Sequence, residues 1–277
     1  MLTGKVAIVT GGGSGIGRAL CHRLAKSGAS VISADINLRN AQETVDLMVM
    51  GSPSSSSRAI LMDCGSSDSV SSAIESALKH YGKVDIFMSN AGIAPEGSLE
   101  FPDDKWENVW KINTLSHVYA ARKLMKSREE GGAGWKEESC DESKYFNVTA
   151  SAAGLMGQIG SLPYSITKHA AVSCAEYLAF TYGSDALHFS CSCPQGVETA
   201  LIKNASKIVR GVVGMDGMLT ADACADFIVN EMLDNKFLIL PHKTVRNYMV
   251  GKATATDDWI KQMRKLNKKI AGGRSKL

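Results

Sequence analysis

No run of about eighteen apolar residues occurs in the 277-residue sequence, so no membrane-spanning helix is expected. The first strand pattern begins at Lys5, which leaves no room for a cleavable leader. A metal centre is not indicated either. The seven cysteines, Cys21, Cys64, Cys140, Cys174, Cys191, Cys193 and Cys224, are odd in number and scattered. No pair of them has histidines at zinc-ligand spacing, and they read as reduced thiols of a non-secreted protein. Internal repeats and inter-domain linkers are missing. The net charge of +3 is too small to imply a nucleic-acid partner. That charge is unevenly placed. Residues 242–277 hold ten Lys and Arg against two Asp, while the other 241 residues hold 21 basic against 26 acidic side chains. The basic end reads as a solvated helix face, with contact to an anionic ligand as the alternative.

What is present is the composition of a globular domain, 44% apolar and 21% charged, on a chain long enough for one sizeable core. Apolar runs at 6–10, 31–35, 59–63, 84–90, 145–151, 188–193 and 237–240 read as strands. Several lack strict alternation, as strands buried on both faces do. Helical patterns lie between them, among them 16–26, 69–80 and 163–182. This alternation predicts an α/β fold, a Rossmann-type doubly wound parallel sheet in a single domain over residues 1–270. Residues 51–57 read as a polar loop and 129–143 as a longer surface excursion.

Three groups of residues carry chemistry. The stretch TGGGSGIG follows the first strand and opens a helix, with Thr10, Gly11, Gly15 and Gly17 in a T-G-x-x-x-G-x-G pattern. Glycine permits the tight turn and lets backbone approach a pyrophosphate, while the helix N-terminus supplies N–H donors. Asp35 closes the next strand eighteen residues after Gly17. An acid there accepts from a ribose 2′-hydroxyl and repels a 2′-phosphate, so NAD is expected over NADP. Arg39 is the basic residue that would compete. In PYSITKHAA, Tyr164 and Lys168 leave the same face of a helix one turn apart, and Ser151 precedes Tyr164 by thirteen residues. A phenol beside an ammonium is a tunable acid/base, since the cation favours phenolate and lowers a pKa otherwise near about 10. His117, His169 and His188 sit in no motif and read as structural.

These motifs, in this order, resemble those of the short-chain dehydrogenase/reductase family from residue 6 to about residue 240. The glycine turn, SNAG at 89–92, Asn113 in KINT, Ser151, Tyr164 with Lys168, and PQGVET at 194–199 carry the resemblance. It implies an NAD-dependent alcohol dehydrogenase in which Tyr164 takes the alcohol proton and Ser151 steadies the substrate oxygen. Lys168 would hold the nicotinamide ribose, and Asn113 would support a water that relays the proton outward. Asp63 and Cys64 are expected along the adenine, and Asn90, Ala91 and Gly92 beneath the ribose. Pro194, Gly196, Val197 and Thr199 are expected beside the nicotinamide. Ser14, Ile16 and Ile36 complete the expected cofactor contacts. The sequence departs from the family at Ser89, where Asn is frequent, at Ala150, where a second Ser is common, and at Gln195, which replaces a glycine. The alternatives are an NADP(H)-dependent carbonyl reductase and a non-catalytic NAD(H)-binding regulatory protein.

Leu155, Met156, Ile159 and Leu162 are expected to wall an apolar pocket, and residues 200–219, with Gly211, Gly214 and Gly217, to form a substrate lid. A hydrophobic or lipid-derived secondary alcohol or ketone is the expected substrate, hydroxyacyl-CoA among the candidates. Trp259, Met263, Leu266 and Ile270 recur at helical spacing in a segment 257–270 that reads as a packing or subunit-contact helix. The family suggests a homodimer or homotetramer. The tail 271–277 ends in Ser275-Lys276-Leu277, a peroxisomal address read by an import receptor. Peroxisomal location is therefore expected, with the cytoplasm as the alternative.

Overall fold

The computed structural model describes residues 1–51, 56–135 and 142–272. Seven strands form one all-parallel sheet in the order β3-β2-β1-β4-β5-β6-β7. They are β1 (Val6–Thr10), β2 (Ser30–Asp35), β3 (Arg58–Leu61), β4 (Ile86–Ser89), β5 (Lys144–Thr149), β6 (Leu187–Ser192) and β7 (Leu238–Ile239). Each matches one of the apolar runs in the sequence, with ends shifted by a few residues. All five residues of β1 and all four of β4 are buried, which is why these strands read as continuous runs rather than alternating ones.

Twelve α-helices flank the sheet among the described residues. They are α1 (Gly15–Lys26), α2 (Leu38–Gly51), α3 (Ser67–Tyr81), α4 (Asp103–Trp110), α5 (Ser116–Met125), α6 (Ala153–Met156), α7 (Leu162–Tyr182), α8 (Ala200–Lys203), α9 (Lys207–Val213), α10 (Ala221–Leu233), α11 (Thr244–Thr254) and α12 (Thr256–Gly272). One core, built on Phe87, Phe146 and Phe189, lies under α3, α5 and α7. The other, built on Val9, Ile86 and Met88, lies under α1, α2 and α10. Helix ends follow local chemistry. Ser66 caps α3 by accepting from the Ser69 N–H, and Gly82, at φ 75°, stops it in the left-handed region.

The strand order reverses direction between β1 and β4. Loops at their carboxyl ends diverge there and leave a crevice. At the opposite end of the sheet, buried Asp85 pins three strands together. Its carboxylate accepts from the Val6 N–H at 2.8 Å and from Lys144 Nζ at 2.8 Å. Residues 136–141 of the expected surface excursion and 52–55 of the polar loop lie outside the described residues. The part of the excursion that is described is not wholly on the surface. Trp135 is buried, donates from Nε1 to the Val84 carbonyl at 2.9 Å and meets Phe146 edge-on.

Candidate active site

The crevice at the strand-order reversal is a cleft of about 330 Å³ floored by the glycine turn. Gly11 and Gly15 have φ of 66° and 51°, a region that side chains rarely allow. A Cβ on Gly17 would collide with the Gly11 carbonyl, so α1 can start this close to the turn only with glycine there. Ser14, at the N-cap of α1, makes no side-chain cap bond, and no acid stands in the first turn. The helix therefore presents its first N–H groups and its positive end to the cleft, the requirement for a pyrophosphate. The residues present fit a dinucleotide.

Asp35 lies at one end of the cleft with both carboxylate oxygens held. Oδ2 accepts from the Gly13 N–H and Oδ1 from the Asn37 N–H, each at 2.9 Å. Ser14, Ile16, Ile36 and Cys64 line the same region. Asp63 does not line the cleft. Its Oδ1 turns back to accept from the Gly65 N–H at 2.8 Å, and Met62 takes a place on the wall instead. Arg18, not singled out in the sequence, braces the turn by donating to the Gly13 carbonyl at 2.7 Å, while Glu43 pairs with it at 2.9 Å.

Asn90, Ala91 and Gly92 line the middle of the cleft, and Thr10 stands behind them. The Thr10 Oγ1 accepts from the N–H groups of Asn90 and Ala91, each at 2.9 Å. Gly92 is where it is because a Cβ would press on Lys168 Nζ at 3.2 Å and Asn113 Oδ1 at 3.3 Å. Ser89, the first departure from the family pattern, pairs with His117 through Oγ and Nδ1 at 2.7 Å. Burial pushes the His117 pKa down to about 3, so the ring is a neutral core group. Asn113 is fully buried on a π-helical turn, Lys111–Leu115, between α4 and α5. Its side chain pairs with both backbone groups of Ile93, at 2.9 and 2.8 Å, and donates to Thr167 at 3.1 Å.

Ser151, Tyr164 and Lys168 converge at the far end. Pro163 opens α7 with a pre-set φ, and the helix carries Tyr164 and Lys168 on one face, with Nζ 5.8 Å from the phenol ring centroid. Lys168 Nζ donates to the Thr149 carbonyl at 2.8 Å. Burial lowers its pKa to about 8. The sequence suggested a Tyr164 pKa depressed by this ammonium. The structure reverses the sign, because burial raises the phenol's pKa and only hydrogen bonding with Ser151 opposes it. Ser151 follows β5. Its Oγ accepts from the Ala153 N–H at 3.1 Å and lies 3.4 Å from the Pro194 carbonyl.

A second, smaller cavity of about 80 Å³ opens beside these groups, and Ser151, Tyr164 and Gln195 line both spaces. Of the four residues expected to wall it, only Met156 does so. Leu155 packs into the core instead, and its carbonyl accepts from Lys252 Nζ at 2.7 Å. The apolar wall comes from the segment expected as a lid, through Leu201, Ile202, Val209, Val212 and Val213. Pro194, Val197 and Thr199 line the larger cleft, whereas Gly196 lies behind it. A Cβ on Gly196 would strike the Val213 carbonyl. Sequence reasoning missed His242, Asp216 and Tyr248, which fasten this corner. They lie 47, 21 and 53 residues from Gln195, and no local motif marks them.

A family model described as short chain dehydrogenase matches residues 5–209. The 3beta-hydroxysteroid dehydrogenase 2 of Eggerthella lenta is 31% identical over 202 residues, 72% of this chain and 73% of that protein. The 17-beta-hydroxysteroid dehydrogenase 13 of Mus musculus is 28% identical over 244 residues, 86% of this chain and 74% of that one. A solved short chain dehydrogenase/reductase from Burkholderia phymatum, in complex with NAD, has the same fold. Its TM-score is 0.79 at 23% identity, over 92% of this chain and 95% of that one.

Proposed function

Because the chain belongs to the short-chain dehydrogenase family, we propose that it is an NAD-dependent oxidoreductase acting on a hydrophobic secondary alcohol or the corresponding ketone. One observation carries the reading. Ser151 and Tyr164 stand where the larger cleft and the apolar cavity join, so a substrate oxygen in the cavity would face a nicotinamide in the cleft beside both hydroxyls. The cofactor, when bound, supplies the hydride acceptor, or the donor in the reverse direction.

The chain's own residues handle binding and the proton. Asp35, with both oxygens oriented by backbone N–H groups, accepts from a ribose hydroxyl and opposes a 2′-phosphate. Ser151 donates to the substrate oxygen. Tyr164 takes the proton of an alcohol or gives one to a ketone. Lys168, anchored on Thr149 at the base of the cleft, holds the nicotinamide ribose. Asn113 keeps the Ile93 backbone and Thr167 in register behind Lys168.

The apolar wall and the hydroxysteroid-dehydrogenase relatives support a hydrophobic, lipid-derived substrate. Exposed Ile166, Tyr177 and Phe180 along α7 support a homo-oligomer. The terminal Ser275-Lys276-Leu277, which lies outside the described residues, supports delivery to peroxisomes by an import receptor. The test is NAD⁺ reduction by a panel of steroidal, hydroxyacyl and aryl secondary alcohols, repeated with NADP⁺. The reading expects the highest kcat/KM for a hydrophobic alcohol with NAD⁺. Preference for small polar alcohols or sugars, or for NADP⁺, would sink it.

A further inference from the structure

The uneven charge of the chain gathers on one helix. From Trp259 to Ile270, α12 carries Lys261, Arg264, Lys265, Lys268 and Lys269 and no acidic side chain. All five cations are exposed. Lys261 pairs with Asp258 at 2.9 Å, whereas the other four make no ion pair among the described residues. Residues four apart share a helix face, so Arg264 and Lys268 form one row and Lys261, Lys265 and Lys269 the next. Like charges at this spacing repel one another, and an anionic surface relieves that cost.

The other face of α12 is apolar and only half covered. Trp259, Met263, Leu266 and Ile270 are each half-buried and belong to neither core. The helix packs against α11, where Trp259 meets Tyr248 with ring centroids 6.3 Å apart. Ile260 on α12 and Val250 on α11 are exposed. A merely solvated helix has no use for such a stripe, and a helix kept for packing would bury it. Cations around a half-covered apolar stripe are the pattern of a helix that lies in a lipid–water interface.

Through α11 this helix is fixed at the rim of the substrate cavity. Tyr248 Oη donates to Asp216 Oδ1 at 2.8 Å, just beyond α9, and Lys252 Nζ donates to the Leu155 carbonyl at 2.7 Å. Residues of α9 and Met156, next to these two anchor points, line the cavity. Met215, beside Asp216, is exposed.

We propose that α12, with the exposed apolar side chains of α11 and the lid, is a docking surface for an anionic phospholipid bilayer. The cations meet lipid phosphates while their stems and the apolar side chains enter the headgroup boundary. A nucleic acid would use the cations but leave the stripe half covered. The rim of the apolar cavity then stands at the bilayer, where hydrophobic alcohols dissolve. That consequence rests on the dehydrogenase reading, and the docking does not.

The full chain is sedimented with vesicles of phosphatidylcholine alone and of phosphatidylcholine mixed with phosphatidylserine, at physiological salt. Partition onto the mixed vesicles is expected to be at least about tenfold stronger. In Lys265→Gln it falls by about fivefold, the weight of one cation at such a surface. With Arg264→Gln, Lys268→Gln and Lys269→Gln added, it falls by more than about a hundredfold. Leu266→Asn with Ile270→Asn lowers it by about tenfold through lost apolar contact, while helix content by circular dichroism and mass by light scattering stay those of the wild type. Equal partition onto both vesicles, or partition unchanged in the fourfold Gln variant, overturns the proposal. So does loss of oligomeric mass in the Leu266→Asn and Ile270→Asn protein, which assigns the stripe to a second copy of the chain. Binding of duplex DNA that matches the mixed vesicles at equal phosphate overturns it too, by assigning the cations to polyanions in general. Sedimentation needs neither cofactor nor substrate, so failure of the dehydrogenase reading leaves its result unaffected.

Discussion

At the scale of the residue, Tyr164 and Lys168 show how identity and environment divide the work. Their four-residue spacing is visible in the sequence, and α7 puts them on one face as helix geometry requires. Their proton affinities were not visible. Burial raises the phenol and lowers the ammonium to about 8, and burial depends on β5, β6 and the loops above them, none local to Tyr164. Asp35 is the contrasting case. Its place at the end of β2 was legible, and the structure adds the two N–H groups that aim its carboxylate. Replacing it by Ser is expected to lower kcat/KM for NAD⁺ by about tenfold or more, the loss of a charged acceptor for a ribose hydroxyl, and to improve use of NADP⁺. Steady-state kinetics with both cofactors check this. A cofactor ratio equal to that of the wild type would assign selectivity to Arg39 or another basic group.

Among the elements, all seven strands were legible, the central ones because a parallel sheet covered on both faces leaves unbroken apolar runs. The wall of the substrate cavity was not. The segment 153–162 lies between Ser151 and Tyr164 in sequence, yet a four-residue helix turns Leu155 into the core, and α8 and α9 bring the apolar wall from farther along the chain. The π-helical turn that seats Asn113 has no distinguishing composition, so the sequence could name the residue but not its setting. The Asp85 pin was hidden for a similar reason, since its partners Val6 and Lys144 belong to strands far apart in the chain. Asp85→Ala would take the Asp85 carboxylate from buried Lys144 and leave the Val6 N–H without its side-chain acceptor. A loss of about 3–5 kcal/mol in unfolding free energy is expected, measured by urea denaturation. A loss below about 1 kcal/mol, the usual value of a surface pair, would show that the site is hydrated and the pin unimportant.

For the whole molecule, the parallel sheet places the nucleotide cleft and the apolar cavity side by side, and helix α12 lies outside the two cores. The helix α12 carries Trp259, Met263, Leu266 and Ile270 half-buried, with Trp259 beside Tyr248. The proposal of peroxisomal delivery is a property of the intact chain. Removing residues 275–277 from a protein tagged at its N-terminus is expected to move it from peroxisomes to the cytosol. An unchanged distribution in fluorescence microscopy would contradict the targeting role. The central claim is that Tyr164 transfers the proton in a dehydrogenase site, and Tyr164→Phe tests it most directly. The ring still fills its place, so NADH affinity, measured by titration calorimetry, should stay within about threefold of wild type. Turnover of the best secondary alcohol should fall by about 10²–10⁴, the usual contribution of a general acid/base. A variant that keeps more than about a tenth of wild-type turnover, with NADH bound normally, would show that the proton travels through another group.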